Sequence, residues 1–227
     1  MAAIKNEECV ILLHGLARTA HSMRRMERAL QKAEYSTCNM GYPSRKYSIE
    51  YLADTYVARA VDDCRLKAGK KSRQKIHFVT HSMGGILLRQ YLAGNRMDDL
   101  GRVVMLAPPN HGSEIVDRLG NSWWFQLFNG PGGCSLGTAA DSAPNRLGPA
   151  DFALGIITGN WSLDPVFSSM VPKPNDGKVA VASARLPGMD DFLVVPYGHT
   201  FVMNKSDIIS QCIYFLRNGC FAKPGDY

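Results

Sequence analysis

Short apolar runs of strand length alternate with longer stretches of helical periodicity along most of the chain. The first run, Cys-Val-Ile-Leu-Leu at 9–13, is continuous and ends in His14-Gly15, as expected for a buried strand. Similar runs stand at 36–40, 76–80, 102–107, 152–158 and 192–195. Strands that alternate with helices in this way form a mostly parallel sheet covered by helices on both faces. The sequence therefore predicts an α/β fold.

Several polar and small residues mark the ends of the predicted helices. Ser22 and Ser48 precede helical stretches and are predicted to cap them, because a serine side chain can accept from a free N–H group of the first turn. The helix after the third strand is predicted to span 84–93 and to end at Gly94-Asn95. The last helix is predicted to begin at Ser206.

The length of 227 residues suits one substantial core, so we expect a single domain over 1–227. A net charge of +6 first suggests nucleic-acid binding. Along the sequence, however, the positive residues are scattered apart from the run between Lys67 and Lys75. We interpret that run as a solvated helix-to-strand turn, and we predict no nucleic-acid partner.

Six cysteines show no CxxC pairing, which gives no basis for a zinc site, and no metal or cofactor is predicted. Three of them stand in apolar runs, so reduced buried thiols in a cytoplasmic protein are the simplest interpretation. Residues 1–8 do not form a secretory signal, and no stretch reaches the roughly 18 apolar residues of a membrane span. An exported protein without its signal remains the alternative.

The third apolar run ends in Thr80-His81-Ser82-Met83-Gly84-Gly85, and a helix follows at once. Ligands of parallel sheets bind beyond the carboxyl ends of the strands, which is where this serine would stand. The segment resembles the nucleophile elbow of the α/β-hydrolase superfamily, in its bacterial lipase- and esterase-like branch, with Thr80 where the commonest motif has glycine. The resemblance covers about residues 10 to 216 and implies that Ser82 is a catalytic nucleophile.

A serine nucleophile needs a base, and in this family the chain order is serine, acid, histidine. His199, in Pro-Tyr-Gly-His-Thr-Phe after the last predicted strand, matches the family's base. Asp176, in Pro-Asn-Asp-Gly-Lys-Val, resembles the acid loop of bacterial lipases. Asp164 follows its strand more closely and is the rival, with Asp190 and Asp191 as further candidates.

The resemblance also implies an oxyanion hole, in which two backbone N–H groups stabilise the negative charge of the tetrahedral intermediate. One donor is predicted at Met83, the residue after the nucleophile. The other is predicted at Leu16, in the turn that follows the first strand, where Gly15 lets the chain turn back tightly.

The segment from about 110 to 149 is rich in Gly, Pro, Asn and Ser and stands where α/β-hydrolases insert a cap or lid. Within it, Trp123, Trp124 and Phe128 belong to a dense apolar cluster and are predicted to bind the substrate. Two interpretations stay open: a lid helix over an acyl pocket that makes transient contact with a lipid surface, or aromatic side chains that simply pack on the body of the domain. The oligomeric state is not predicted.

These residues together predict a serine hydrolase that cleaves small-molecule carboxylic esters of apolar acyl groups through an acyl-enzyme. Bacterial lipases of this type carry a calcium-binding carboxylate two residues after the histidine, where this chain has Phe201, so a structural calcium ion is not expected. An acyltransferase, thioesterase or amidase with the same triad is the alternative. A non-catalytic binding module with a hydrolase-like fold is a lesser one.

Overall fold

The computed structural model describes residues 8–68, 74–223 and 225–226. Its centre is a six-stranded sheet in which every neighbouring pair of strands is parallel. The strands are β1 (Cys9–Leu13), β2 (Ser36–Met40), β3 (Ile76–His81), β4 (Leu100–Leu106), β5 (Leu154–Gly159) and β6 (Asp191–Val195). They lie in the order β2-β1-β3-β4-β5-β6. The predicted parallel α/β sheet is confirmed.

Helices connect the strands and cover the sheet. They are α1 (Arg24–Lys32), α2 (Ile49–Leu52), α3 (Ala58–Ala68), α4 (Met83–Gly94), α5 (Glu114–Leu119), α6 (Trp123–Cys134), α7 (Ala143–Arg146), α8 (Pro165–Met170), α9 (Val181–Ala184) and α10 (Ser206–Asn218). A π-helical turn (Ala53–Val57) joins α2 to α3, and short 3₁₀ turns (Ala20–Met23 and Val202–Asn204) precede α1 and α10. None of the helices in the described ranges is long and apolar enough to span a bilayer.

The two faces of the sheet pack against different helices because successive strand residues point to opposite sides. Val10 and Leu12 of β1 belong to one buried cluster, together with Leu30 of α1 and Phe215 of α10. Ile11 and Leu13 belong to another, with residues of α2, α3 and α4. The unbroken apolar runs of the sequence are therefore strands that are covered on both faces.

The predicted helix caps have different outcomes. The side chain of Ser48 accepts a hydrogen bond from the N–H group of Tyr51 at the start of α2, as predicted. The prediction for Ser22 is wrong: Met23 precedes α1, and the Ser22 hydroxyl donates to the carbonyl of Thr19. A 3₁₀ turn before the helix moves the helix start past Ser22.

The interpretation of the buried cysteines as reduced thiols is wrong for two of them. Cys9 at the start of β1 and Cys64 in α3 form a disulfide, with their Cα atoms 6.2 Å apart. Among the remaining cysteines, Cys38 and Cys212 are buried free thiols and Cys220 is exposed. The predicted turn in the basic run lies largely outside the described residues, which omit 69–73.

Three helices, α5, α6 and α7, occupy the segment between β4 and β5. The chain bends within α6 at Gly130, whose φ of 65° is accessible mainly to glycine. A Cβ atom there would lie 1.7 Å from the carbonyl oxygen of Arg45, so no other residue fits this bend. Ile115 of α5, Phe125 of α6 and Val171 after α8 form a small separate apolar cluster.

Candidate active site

The strand order places the ends of β1 and β3 side by side. The chain passes from β1 outward to β2 and then returns to the other side of β1 with β3. Such a reversal opens a crevice beyond the carboxyl ends of the two strands, and ligands of α/β sheets bind there. Leu13 is paired with Thr80 in the sheet, so the turns that follow these residues meet at this crevice.

Ser82 stands in the sharp turn between β3 and α4. Its φ of 53° and ψ of −124° are strained for a residue with a side chain, as expected of a nucleophile elbow. A Cβ atom on Gly84 would lie 2.6 Å from the carbonyl oxygen of Leu13, and one on Gly15 would lie 3.2 Å from the Cβ atom of Ser82. The two glycines therefore let α4 and the turn after β1 approach the serine.

Three side chains form a continuous chain of hydrogen bonds at this crevice. The Oγ atom of Ser82 lies 2.9 Å from Nε2 of His199. Nδ1 of the same imidazole lies 2.8 Å from Oδ2 of Asp176. With Nδ1–H donating to the carboxylate, Nε2 can accept the hydroxyl proton of the serine, which is the tautomer that a general base requires.

The loop around Asp176 fixes the direction of the carboxylate. Its Oδ1 atom accepts from the N–H groups of Lys178 and Val179 at 2.9 and 2.8 Å. The N–H group of His199 donates to the Asp176 carbonyl at 3.0 Å, which joins the two loops through their backbones. Both side chains are buried, so the hydrogen bond that orients the histidine is shielded from water.

The other candidate acids have different partners. Asp164 caps α8 by accepting from the N–H groups of Val166 and Phe167. Asp190 accepts from the N–H group of Leu154, and Asp191 accepts from the N–H groups of Phe192 and Phe221. Of the four aspartates, Asp176 is the one that the structure brings to His199.

The imidazole of His81, next to Ser82 in sequence, is buried. Burial, followed by the proximity of His199, holds the pKa of His81 well below its ordinary value, so the ring is neutral. Its Nε2 atom lies 3.0 Å from the carbonyl oxygen of His199. A neutral ring that donates from Nε2 joins the residue beside Ser82 to the backbone of His199.

The turn after β1 is held in place by His14 and Tyr42. Their rings stack with centroids 3.9 Å apart, the Tyr42 hydroxyl donates to the His14 carbonyl, and the Tyr42 N–H group donates to Nε2 of His14. Leu16, which was predicted to supply an oxyanion donor, follows in this turn and lines the same cavity as Ser82. Met83, the other predicted donor, is the first residue of α4.

Ser82 and His199 open into a cavity of about 310 Å³. Two of the three aromatic residues predicted to bind the substrate, Trp124 and Phe128, line this cavity. Trp123 lies on the same helix outside the lining, and its side chain is 75% exposed. Across the described part of the chain, no three His, Cys, Asp or Glu side chains come together in a way that could hold a metal ion.

Sequence reasoning missed several residues of the cavity wall. Phe167 of α8, Ile115 of α5 and Arg18 of the turn after β1 all line it. The start of α8 carries a visible signal, Asp164 followed by Pro165, which is typical of a helix N-terminus. No local pattern identifies Arg18, because it reaches the cavity only through the tertiary path of its turn.

Comparison with solved structures shows the same architecture in several proteins. The mature form of the lipase BlEst2 from Bacillus licheniformis superimposes with a TM-score of 0.74 at 18% identity, over 93% of this chain and 92% of that chain. The metagenomic carboxyl esterase MGS0156 gives a TM-score of 0.63 at 18% identity, over 86% and 65% of the two chains. Phospholipase PlaB from Legionella pneumophila gives 0.61 at 23% identity, over 78% and 45%.

At these identities the likeness to solved structures shows a shared fold. A search of curated proteins by sequence gives no significant match. The sequence model of the alpha/beta hydrolase family, however, matches residues 10–207, which include the serine, the aspartate and the histidine described above. By its sequence and its parallel sheet alike, this chain is a member of the alpha/beta hydrolase family.

Proposed function

We propose that the protein is a serine hydrolase that cleaves carboxylic esters of apolar acyl groups. The observation that carries the proposal is the unbroken chain of hydrogen bonds from Ser82 through His199 to Asp176, at 2.9 and 2.8 Å. Hydrogen-bond contact between a serine, its base and the group that orients the base is the geometric signature of nucleophilic catalysis.

In the proposed reaction, Oγ of Ser82 attacks the ester carbonyl while Nε2 of His199 takes the hydroxyl proton. The N–H groups of Leu16 and Met83 stabilise the resulting oxyanion. When the carbon–oxygen bond to the leaving group breaks, the alcohol takes the proton from His199 and the acyl group stays on the serine. Water then attacks the acyl-enzyme, gives a proton to His199, and the carboxylic acid leaves as Ser82 is reprotonated. Asp176 stays ionised throughout and stabilises the imidazolium.

The cavity limits the size and polarity of the acyl group. Its volume of about 310 Å³ is at the lower end of the range that is usual for small-molecule sites. Its wall includes Leu16, Ile115, Val116, Phe125 and Leu136. These apolar side chains support a short or medium acyl chain, and the cations Arg18 and Lys178 stand elsewhere in the same wall.

Hydrolysis of a chain-length series of p-nitrophenyl esters tests the proposal. We expect the wild-type protein to prefer short and medium acyl groups, and Ser82→Ala to lower kcat by about 10⁶-fold because the nucleophile is lost. Comparable turnover by both proteins would contradict the proposal. Products formed in the presence of a competing alcohol, thiol or amine then separate hydrolysis from acyl transfer, which uses the same acyl-enzyme.

A fluorophosphonate probe supplies the matched control. Ser113 lines the same cavity, but its hydroxyl donates to the Lys178 carbonyl at 2.7 Å rather than to a histidine. We expect the probe to label the wild-type protein and Ser113→Ala, and not Ser82→Ala. Labelling that survives in Ser82→Ala would place the nucleophile elsewhere.

A further inference from the structure

More than half of the exposed large apolar side chains in the described residues line the catalytic cavity or hollows beside it. Eleven large apolar side chains in the described residues are exposed. Six of these line the catalytic cavity or one of two hollows next to it, one near Trp161 and one near Arg45. We call these six the apolar rim: Trp124, Leu127, Phe128, Trp161, Leu163 and Phe201. Exposed apolar groups that gather in one place mark a surface that contacts something apolar.

Another hollow beside the cavity, next to α1, is strongly basic. Five of its lining residues are cations, which we call the basic groove: Arg18, Arg24, Arg25, Arg28 and Lys32. Four of them stand on α1, whose Met26 and Leu30 are buried against the sheet, so the opposite side of the helix presents its charges outward.

These cations have no acidic partners. No carboxylate lines the basic groove, and within the described ranges none of its five cations takes part in an ion pair. Unpaired cations that share one groove create a local positive potential and favour an anionic ligand.

The basic groove and the apolar rim form one continuous surface. Arg18 lines both the catalytic cavity and the basic groove. It also lines the hollow near Arg45, whose other lining residues include Lys46, Leu127 and Phe128. The guanidinium of Arg18 also lies over the ring of Phe201, 5.7 Å from its centroid. Lys178 adds another cation to the wall of the cavity itself, and no Asp or Glu side chain is found there.

From this arrangement we propose that the protein docks on the surface of an anionic phospholipid bilayer, with the apolar rim in the acyl boundary and the basic groove on the headgroups. Apolar side chains bind such a surface by inserting among the acyl chains, and unpaired cations bind it by attraction to the anionic headgroups. A nucleic acid would use the cations alone and leave the apolar rim exposed. The proposal deepens the proposed function by naming the surface at which the protein meets its substrate, and it rests on that function for the ester that is cleaved there.

Cosedimentation with vesicles tests the docking without any turnover, so the result does not depend on whether Ser82 is catalytic. We expect the full chain to bind mixed phosphatidylglycerol–phosphatidylcholine vesicles and to bind pure phosphatidylcholine vesicles far more weakly. Binding to the mixed vesicles should weaken steadily as NaCl is raised to about 0.5 M, because salt screens the attraction between the cations and the headgroups.

Two triple variants separate the position of the charges from net charge. Arg24→Gln, Arg25→Gln and Arg28→Gln together should lower the partition coefficient on mixed vesicles about a hundredfold. The matched control is Arg59→Gln, Lys67→Gln and Arg96→Gln, which removes the same number of charges from α3 and from the loop after α4, on the other side of the sheet. The control should bind like the wild-type protein, and thermal unfolding of both variants checks their folding.

Leu127→Asn tests the apolar contribution separately. Leu127 is 70% exposed and lines the hollow beside Arg45 without lining the catalytic cavity. We expect the substitution to lower the partition coefficient about tenfold and to leave its dependence on salt unchanged.

Three results would overturn the docking proposal. One is equal binding of the two triple variants to mixed vesicles, and another is equal binding of the wild-type protein to mixed and neutral vesicles. The third is binding of the wild-type protein to a duplex oligonucleotide that is lost in the α1 variant, with no binding to vesicles. In each of these cases ester hydrolysis could still occur, so the two proposals fail separately.

Discussion

Asp176 and Asp164 show how position alone assigns different roles to the same type of residue. The carboxylate of Asp176 lies 2.8 Å from Nδ1 of His199, whereas that of Asp164 accepts from two N–H groups at the start of α8. Both aspartates follow β5, and each is followed by a turn-forming residue, Pro165 in one case and Gly177 in the other. The sequence could rank the two aspartates by resemblance, but only the tertiary path of the loop brings Asp176 to His199.

We predict that Asp176→Asn lowers kcat for ester hydrolysis by about 10⁴-fold, because an amide favours the wrong tautomer of His199 and cannot stabilise its protonated form. Asp164→Asn is the matched control, since asparagine caps a helix as well as aspartate does. We expect its kcat to stay close to the wild-type value. Similar losses in both variants would mean that Asp176 is not the triad acid.

Single residues could be predicted where a local sequence motif marks them, and could not where only tertiary contacts determine their position. Ser82 and His199 could be predicted because each stands at a strand end with a local motif around it. Trp124 and Phe128 could be predicted as part of an apolar cluster, whereas the exposure of Trp123 depends on which side of α6 faces the body. Arg18 has no local signal.

At the scale of elements, α4 is fixed by its first turn. Gly84 lies where the helix crosses the end of β1, and a Cβ atom there would meet the carbonyl oxygens of Leu13 and His14 at 2.6 and 2.9 Å. Gly94 closes the same helix, and a Cβ atom there would meet nothing within 4 Å. The two glycines therefore have different reasons to be in the sequence.

This difference predicts opposite effects on stability. Gly84→Ala should lower the free energy of unfolding by about 1–3 kcal/mol, since neighbouring backbone must move, and should also displace Ser82. Gly94→Ala should raise the free energy of unfolding by up to about 1 kcal/mol, because alanine favours the helix. Urea unfolding of the two variants measures both, and a similar change in each would contradict the crowding at Gly84.

The strands were the most predictable elements because burial on both faces leaves a continuous apolar run in the sequence. Predicted and observed bounds coincide for β1 and β2 and differ by only a few residues for the other strands. Helix starts were less predictable: a 3₁₀ turn displaced the start of α1 from Ser22. Helix α8 was missed because it is only six residues long.

For the molecule as a whole, the Cys9–Cys64 disulfide links the start of β1 to α3, at the end of the strands that lies away from the candidate active site. It closes a loop with a sequence separation of 55 residues. Apolar surroundings alone predicted two buried thiols, because nothing in the sequence shows that these two residues face each other. A cytoplasmic location stays a prediction, and disulfides are more common in oxidising compartments.

We predict that reduction of this bond lowers the free energy of unfolding by about 4 kcal/mol, since the unfolded chain regains the freedom of the loop. Urea unfolding with and without dithiothreitol measures the difference. The double variant Cys9→Ala, Cys64→Ala is the control and should be insensitive to the reductant. Titration of six free thiols in the unfolded, unreduced protein would rule the bond out.

The distribution of charge is another property that belongs to the whole molecule. Four cations of the basic groove stand close together in the sequence, between Arg24 and Lys32, and folding brings Arg18 beside them. Composition could therefore give the net charge of +6 and not its placement. The same holds for the apolar rim, whose members come from three separate loops or helices.

The position of the aromatic side chains has a practical consequence. The chain contains three tryptophans, and Trp123 and Trp124 belong to α6, while Trp161 lines the hollow next to His199. None of them lies in the two large cores of the sheet. Tryptophan fluorescence, unlike that of the buried Tyr35 and Tyr42, therefore reports on the surroundings of the cavity and not on the packing of the strands.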